Sequence, residues 1–395
     1  MTFPASKQAI FASLRWRRRW LLLALLCCCL GNAHAARSLC QAPPWPQWEA
    51  FKTSFISQDG RVIDRSTPQQ QTVSEGQAYA LFFALVANDR PAFARILKWT
   101  EDNLAGGDLT ARLPAWHWGK KDNGSWGVLD ANPASDADLW LVYALGEAGR
   151  LWQERRYVAL SSLLANRTLA EETANLPGLG LTLLPAPHGF HLGQSVWRLN
   201  PSYLPMQLFD WLGSRSSDAR WRALAASSLR VLLESAPRGY APDWILYEAG
   251  KGFRIDHDGE GNGKGGYNAI RVYLWVGMLP PESAARTRLL TAFAPMSDFV
   301  ARHGYPPEQI DIHTGRANGP GPSGFSAALL PFLSVQNNTA ALNTQIDRII
   351  TRPPRADAYY EQALMLFALG WRDGHYRFAK DGSLQPSWKI TCNHA

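Results

Sequence analysis

Long hydrophobic runs are what this 395-residue sequence has least of. The longest, Trp20 to Leu30, spans 11 residues, and no later stretch reaches the roughly 18 that a membrane-spanning helix needs. Cysteine is scarce too. There are five, of which Cys27, Cys28 and Cys29 lie inside that run, leaving Cys40 and Cys392. No Cys/His group has zinc spacing, and His117, His188, His191, His257, His303 and His313 stand singly, so no metal is expected. A basic surplus is also missing. Of the formal +7, five charges come from Lys7, Arg15, Arg17, Arg18 and Arg19, and no acid precedes residue 36. The remaining +2 does not describe a nucleic-acid binder. Low-complexity linkers and internal repeats are absent, and a chain with 46% hydrophobic and 18% charged residues is neither disordered nor fibrous.

What stands at the N-terminus is an export signal. Arg15-Trp-Arg-Arg-Arg19 is a positive start, the apolar run follows, and Ala33-His34-Ala35 fits the small-residue cleavage rule. Residues 1–35 are therefore expected to be a signal peptide cut near Ala35, and the mature protein, 36–395, to be secreted or periplasmic. In an oxidising compartment Cys40 and Cys392, one near each end, suit a disulfide tying the termini together; two free thiols are the alternative.

The rest reads as helix after helix. Apolar residues recur at three and four spacing over 74–88, 91–104, 135–154, 156–171, 201–213, 217–235, 267–278, 283–303, 324–334, 339–350 and 357–371. Loops rich in Gly, Pro, Asn and Asp fill 105–134, 173–200, 236–266 and 304–323, with strand patterns few and chiefly near 180–197. Eleven or twelve amphipathic helices with long loops predict one all-α domain, with paired helices closed into an α/α barrel rather than a solenoid.

Three helix starts carry the polar chemistry. At the first, Ser74-Glu75-Gly76-Gln77, Ser74 and Gln77 suit a capping box, and Glu75 either complements the helix dipole or projects into a cleft. The dipole lowers a carboxyl pKa, so a Glu75 acting as general acid needs burial or a neighbouring carboxylate to raise it. At the second, Ala134-Ser135-Asp136-Ala137-Asp138, Ser135 and Asp138 suit the cap, leaving Asp136 for the cleft. At the third, Gly265-Gly266-Tyr267-Asn268, Asn268 suits an N-cap. The loop just before it carries Asp256, Asp258 and Glu260 in calcium-loop spacing, but Tyr267 holds the twelfth position where an EF-hand requires Glu.

Aromatic residues crowd the loops: Trp116, Trp118, Trp126, Trp197, Tyr203, Trp244, Tyr247, Tyr267 and Trp275. A flat indole can stack on the C–H face of a pyranose while carboxylates and Arg bind its hydroxyls. Aromatics with acids, and no basic excess, favour a neutral polysaccharide.

These motifs, together with Asn200-Pro-Ser-Tyr203, Tyr267-Asn-Ala-Ile-Arg-Val-Tyr273, Pro-Ala-Trp116-His-Trp118-Gly-Lys-Lys, Pro177-Gly-Leu-Gly, Pro242-Asp-Trp244, Gly304-Tyr-Pro-Pro and Gly324-Phe-Ser-Ala-Ala, resemble glycoside hydrolase family 8 over roughly residues 40–390. Within that family the sequence looks most like the periplasmic endo-β-1,4-glucanases encoded with bacterial cellulose synthase. The resemblance implies an (α/α)6 barrel with an open cleft and inverting hydrolysis of a β-1,4-glucan chain. It also implies a monomer working without metal or organic cofactor, in functional association with the cellulose synthase complex. Glu75 matches the family's proton donor, and Asp136 a residue read here as orienting the sugar. Tyr203 and Arg271 stand beside it, and Trp116, Trp118, Trp126, Tyr267 and Trp275 are expected to bind the glucan. Leu141 and Val142 depart mildly from the family signature.

Asn268 departs more seriously. Close relatives carry Asp there as the base, and a neutral amide cannot take a proton from water at ordinary pH. Three accounts stand open: a loop acid, Asp258 or Glu260 before Asp256, replaces it; the chain is a weakened or inactive glucan binder; or the Asn was introduced to trap substrate.

Overall fold

The amphipathic periodicity becomes two concentric rings of helices. The computed structural model describes residues 42–257, 259 and 261–392. Residues 1–35, expected to be a signal peptide, and Cys40 of the expected Cys40–Cys392 pairing lie outside the described residues. The chain divides into a large unit, Pro43–Ser387, which holds the barrel and the site, and a small one that includes most of the last helix. Among the described residues the helices are α1 (Pro46–Phe55), α2 (Ser74–Val86), α3 (Arg90–Leu104), α4 (Ser135–Trp152), α5 (Arg155–Glu171), α6 (Met206–Arg215), α7 (Arg220–Glu234), α8 (Ile270–Gly277), α9 (Arg286–His303), α10 (Ser323–Ala328), α11 (Leu330–Val335), α12 (Thr339–Thr351), α13 (Tyr359–Arg372) and α14 (Ser387–Cys392). The short α10 and α11 follow one another as a single broken rod.

The inner ring closes on itself. α2 packs on α4, α4 on α6, α6 on α8, α8 on α10 and α11, α10 on α13, and α13 back on α2. Each inner helix carries an outer one: α3 on α2, α5 on α4, α7 on α6, α9 on α8, α12 on α10 and α11, and α1 on α13. This is the (α/α)6 barrel. Burial follows the same division. Every residue of α8 is buried and all of α4 but Arg150, whereas α3 buries one stripe that includes Phe93, Ile96, Leu97 and Leu104.

Two helices were missed, the short α14 and, at the other end, α1. Its start at Pro46 is a favourable first-turn proline, and Trp48, Phe51 and Phe55 recur at helical spacing on its buried face. The helix expected from 201 begins instead at Met206. Pro205 disfavours helical backbone at Leu204, and Pro201–Tyr203 forms a separate 3-10 turn capped by the Asn200 side chain.

Short strands outnumber the expectation because the long loops fold into hairpins whose sequences alternate too briefly to read. They are β1 (Thr72–Val73), β2 (His117–Lys120), β3 (Trp126–Asp130), β4 (Thr173–Leu176), β5 (Gly180–Leu183), β6 (His191–Gly193), β7 (Val196–Leu199), β8 (Ile245–Glu248), β9 (Gly252–Arg254), β10 (Lys264–Gly265), β11 (Pro307–Asp311), β12 (Ala317–Pro320), β13 (Tyr376–Phe378) and β14 (Leu384–Pro386). All pairings are antiparallel. The sheet β1–β2–β3 sets Thr72 opposite Trp118 and Val73 opposite His117, immediately before Ser74.

Aromatic rings fill the middle of the barrel. Tyr79, Trp140 and Trp275 meet Phe367 at 4.9, 5.1 and 5.2 Å between centroids, mostly edge to face. The hairpin β13–β14 docks on the C-terminal half of α4. Tyr143 donates to the Gly382 carbonyl at 2.8 Å, and buried Glu147 accepts from the Leu384 N–H and the Trp211 Nε1, each at 2.7 Å. Inner helices approach closely where a side chain is missing: a Cβ on Gly146 would lie 2.2 Å from Trp211.

Gly146→Ala should therefore force α4 from α6 and lower unfolding free energy by about 1–3 kcal/mol; urea denaturation measures it, and an unchanged midpoint would contradict this packing.

Candidate active site

Three segments far apart in sequence converge on one guanidinium. Glu75 stands in the first turn of α2, which begins where β1 ends and where the Ser74 N–H donates to the Trp116 carbonyl at 2.9 Å. Asp136 stands in the first turn of α4, and Arg271 on α8. Arg271 Nη1 donates to Glu75 Oε2, to Asp136 Oδ2 at 2.9 Å and to Tyr79 Oη at 3.2 Å. Its Nη2 donates to Ser202 Oγ at 2.9 Å and Asn268 Oδ1 at 2.7 Å. The guanidinium also lies 5.6 Å from the Tyr203 ring centre.

Burial is graded across this cluster. Arg271 and Asp136 are almost wholly enclosed, while the Glu75 side chain keeps 18% of its surface. Desolvation pushes the Glu75 carboxyl up to about 7, against the pull of Arg271 and with help from the neighbouring charge of Asp136. Burial and the Asp136 carboxylate thus win the contest with the helix dipole that the sequence posed. Arg271 is held charged by its carboxylates, above its ordinary range in spite of its own burial.

Several local expectations are corrected. Ser74 does not cap α2 and Gln77 does not reach back to it. The Gln77 side chain is buried, accepting from the Val62 N–H at 2.6 Å and donating to Thr100 Oγ1 at 2.9 Å. Ser135 and Asp138 make no cap on α4 either; Asp138 is buried against Glu172, at the end of α5. Asn268 does not cap α8. Asp243, 25 residues upstream, accepts from the N–H groups of Gly266, Asn268 and Ala269 at 2.9, 2.9 and 2.7 Å. A remote carboxylate with three donors outcompetes the local amide, freeing Asn268 to meet Arg271.

The expected sugar-binding aromatics divide. Trp118 and Trp126 stack at 5.4 Å and 20° on the β2–β3 hairpin, with the Arg61 guanidinium 4.3 and 4.8 Å from their ring centres. Trp126 and Tyr267 are 46% and 47% exposed, Trp116 and Tyr203 half-buried. Trp275 is different: its indole is buried in the barrel core and its Nε1 donates to the Ser202 carbonyl at 3.0 Å, so it offers no face to a ligand. Of the loop acids, Asp258 and Glu260 lie outside the described residues. Asp256 is buried and paired with Arg198.

Tyr79, Tyr359 and Tyr360 were missed. Tyr79 follows Glu75 by four residues and so shares its helix face, a signal that was available. Tyr359 approaches Gly76 so closely that a Cβ there would lie 2.7 Å from its hydroxyl, and Tyr360 donates to the Tyr267 carbonyl. These two come from α13, which only ring closure brings beside α2, so no local pattern announces them.

Comparison with known proteins agrees with this geometry. Residues 24–374 match the model of the family described as glycosyl hydrolases family 8. The chain is 49% identical to an endoglucanase of Escherichia coli (strain K12), over 91% of this chain and 95% of the relative. It is 47% identical to an endoglucanase of Salmonella typhi, over 95% and 98%. The crystal structure of an endo-1,4-D-glucanase from Vibrio fischeri ES114 superposes with a TM-score of 0.84 at 44% identity, covering 88% of this chain and all of that one.

Removing the central cation tests the electrostatics. Arg271→Met leaves Glu75 and Asp136 facing each other without a counter-charge. It should cost about 3–5 kcal/mol of stability and raise the Glu75 pKa further, read by urea denaturation and by NMR titration of the carboxyl carbons.

Proposed function

The chain belongs to glycosyl hydrolase family 8, and from that premise we propose a secreted endo-β-1,4-glucanase that cuts cellulose chains with inversion. The observation that carries the mechanism is Glu75, a carboxyl at the cleft side of a helix start that burial keeps half-protonated near pH 7. It protonates the departing glycosidic oxygen. Asp136, held between Arg271 and the Ala137 N–H, orients the sugar ring at the point of cleavage. Trp118 and Trp126, with Trp116, Tyr203 and Tyr267, supply stacking surfaces along the strand.

Inversion needs a second carboxylate about 6.5–9.5 Å from the acid, with a water between it and the anomeric carbon. Asn268 cannot be that base: its oxygen accepts from Arg271, so its remaining polar group is an N–H donor. Asp243 serves the start of α8, its Oδ1 accepting from three backbone N–H groups, and Asp256 is paired with Arg198. We assign the base to Asp258 or Glu260, which fall in the chain between β9 and β10. The same amide favours the second reading, a glucan-binding protein with little turnover. The N-terminal signal suggests a periplasmic location and a role alongside cellulose synthesis.

Reducing-sugar release from carboxymethylcellulose separates enzyme from binder. Glu75→Gln should lower kcat by about 10²–10⁴-fold with substrate binding retained; a fully active variant removes Glu75 from the mechanism. Because Glu75 must be protonated to act, kcat/KM should fall as pH rises through about 7. Asp258→Asn or Glu260→Gln should abolish the acidic limb of that profile, and if neither slows the reaction the loop assignment fails.

A further inference from the structure

Behind Asp136 lies a second pair of carboxyls that the mechanism above does not use. Asp138 follows it in the first turn of α4, and Glu172 closes α5; both are buried, at 1% and 0% exposure. The two side chains lie within hydrogen-bonding reach of each other, yet none of their four oxygens receives a donor from any other described group with a fixed hydrogen. The charged groups facing Asp138 are Glu172, Asp136 and Glu171, and those facing Glu172 are Asp138 and Asp136. The remaining neighbours add no cation: α5 offers the Thr168 hydroxyl, the 3-10 turn offers the Tyr203 phenol, and β4 and β5 contain no titratable residue. Arg271 is already engaged by Glu75 and Asp136.

Two bare carboxylates cannot remain side by side in such a place. A proton between them turns the repulsion into a short carboxyl–carboxylate hydrogen bond. We propose that Asp138 and Glu172 are a proton-sharing pair that positions Asp136, clamping the first turn of α4 to the end of α5 and setting a fixed negative charge behind the catalytic centre. Burial holds both groups well above their ordinary range, in agreement. The pair acts through Asp136, whose charge adds to burial in raising the Glu75 pKa, so its effect on the reaction rests on the reading of Glu75 as the acid.

The clamp has a measurable proton. The folded chain holds it while the unfolded chain, with ordinary carboxyl pKa values near 4, releases it, so stability falls as pH rises above about 5. Each such proton makes the unfolding constant rise about tenfold per pH unit. In Glu172→Gln an amide N–H replaces the proton without changing the net charge. Urea unfolding of the full chain at pH 5, 6 and 7 should then show one proton fewer released than in wild type, and Asp138→Asn should show the same. An unchanged count in both variants overturns the shared proton. The double variant Asp138→Asn/Glu172→Gln removes the negative charge as well, so the alkaline limb of kcat/KM should move to lower pH. A reduced proton count with an unmoved limb would overturn the action on the centre. The proton count needs no catalysis, so a failure of the Glu75 assignment would show separately, as a wild-type profile without an alkaline limb.

Discussion

One buried guanidinium organises this molecule. Arg271 gathers a carboxylate from α2, a carboxylate from α4, a hydroxyl from the 3-10 turn and an amide from its own helix start. These groups come from segments up to 196 residues apart in the chain, so the ion cluster exists only when α2, α4 and α8 are assembled around one centre. Placing so many acids out of water is costly, and one cation balances only part of them. The rest of the balance is made by protons. Glu75 keeps one because burial outweighs Arg271, and the chemistry assigned to it is a consequence of that imbalance.

Much of the architecture was legible because outer helices such as α3 carry one apolar stripe and inner ones such as α4 and α8 are apolar-rich runs between polar loops. Helix ends marked by Ser74, Ser135 and Asn268 lie where capping residues suggest, yet none of the three works as a cap. Ser74 and Ser135 are buried, with hydroxyls that meet no partner among the described residues, while Asn268 turns to Arg271. Their N–H groups find other partners, most clearly Asp243. Local preference and tertiary demand pointed to the same positions for different reasons. Tyr359 and Tyr360 were invisible for the opposite cause, since nothing near them in sequence shows that α13 returns to meet α2.

Tryptophan illustrates how one residue type divides between two duties. On the β2–β3 hairpin, Trp118 and Trp126 stand in a stack half open to solvent, with Arg61 against them. On α4 and α8, Trp140 and Trp275 are sealed among phenylalanines, and Trp275 braces the turn that holds Ser202 against Arg271. Composition alone cannot separate these roles. What separates them is whether the ring is enclosed within the barrel or keeps a face at the surface.

The hairpin β13–β14 has a bearing on how a polymer can be handled. It docks on α4 at Tyr143 and Glu147. Glu147 is 11 residues beyond Asp136, about 16 Å along the helix axis. With that stopper at one end and aromatic packing along the bore, the ring is a blind socket rather than a sleeve. A cellulose strand cannot be threaded through it like a cable through a gland; it can only be draped over one rim, gripped in mid-length and let go on both sides. Scission at internal bonds, with no need to find a free terminus first, suits a strand laid across such a rim.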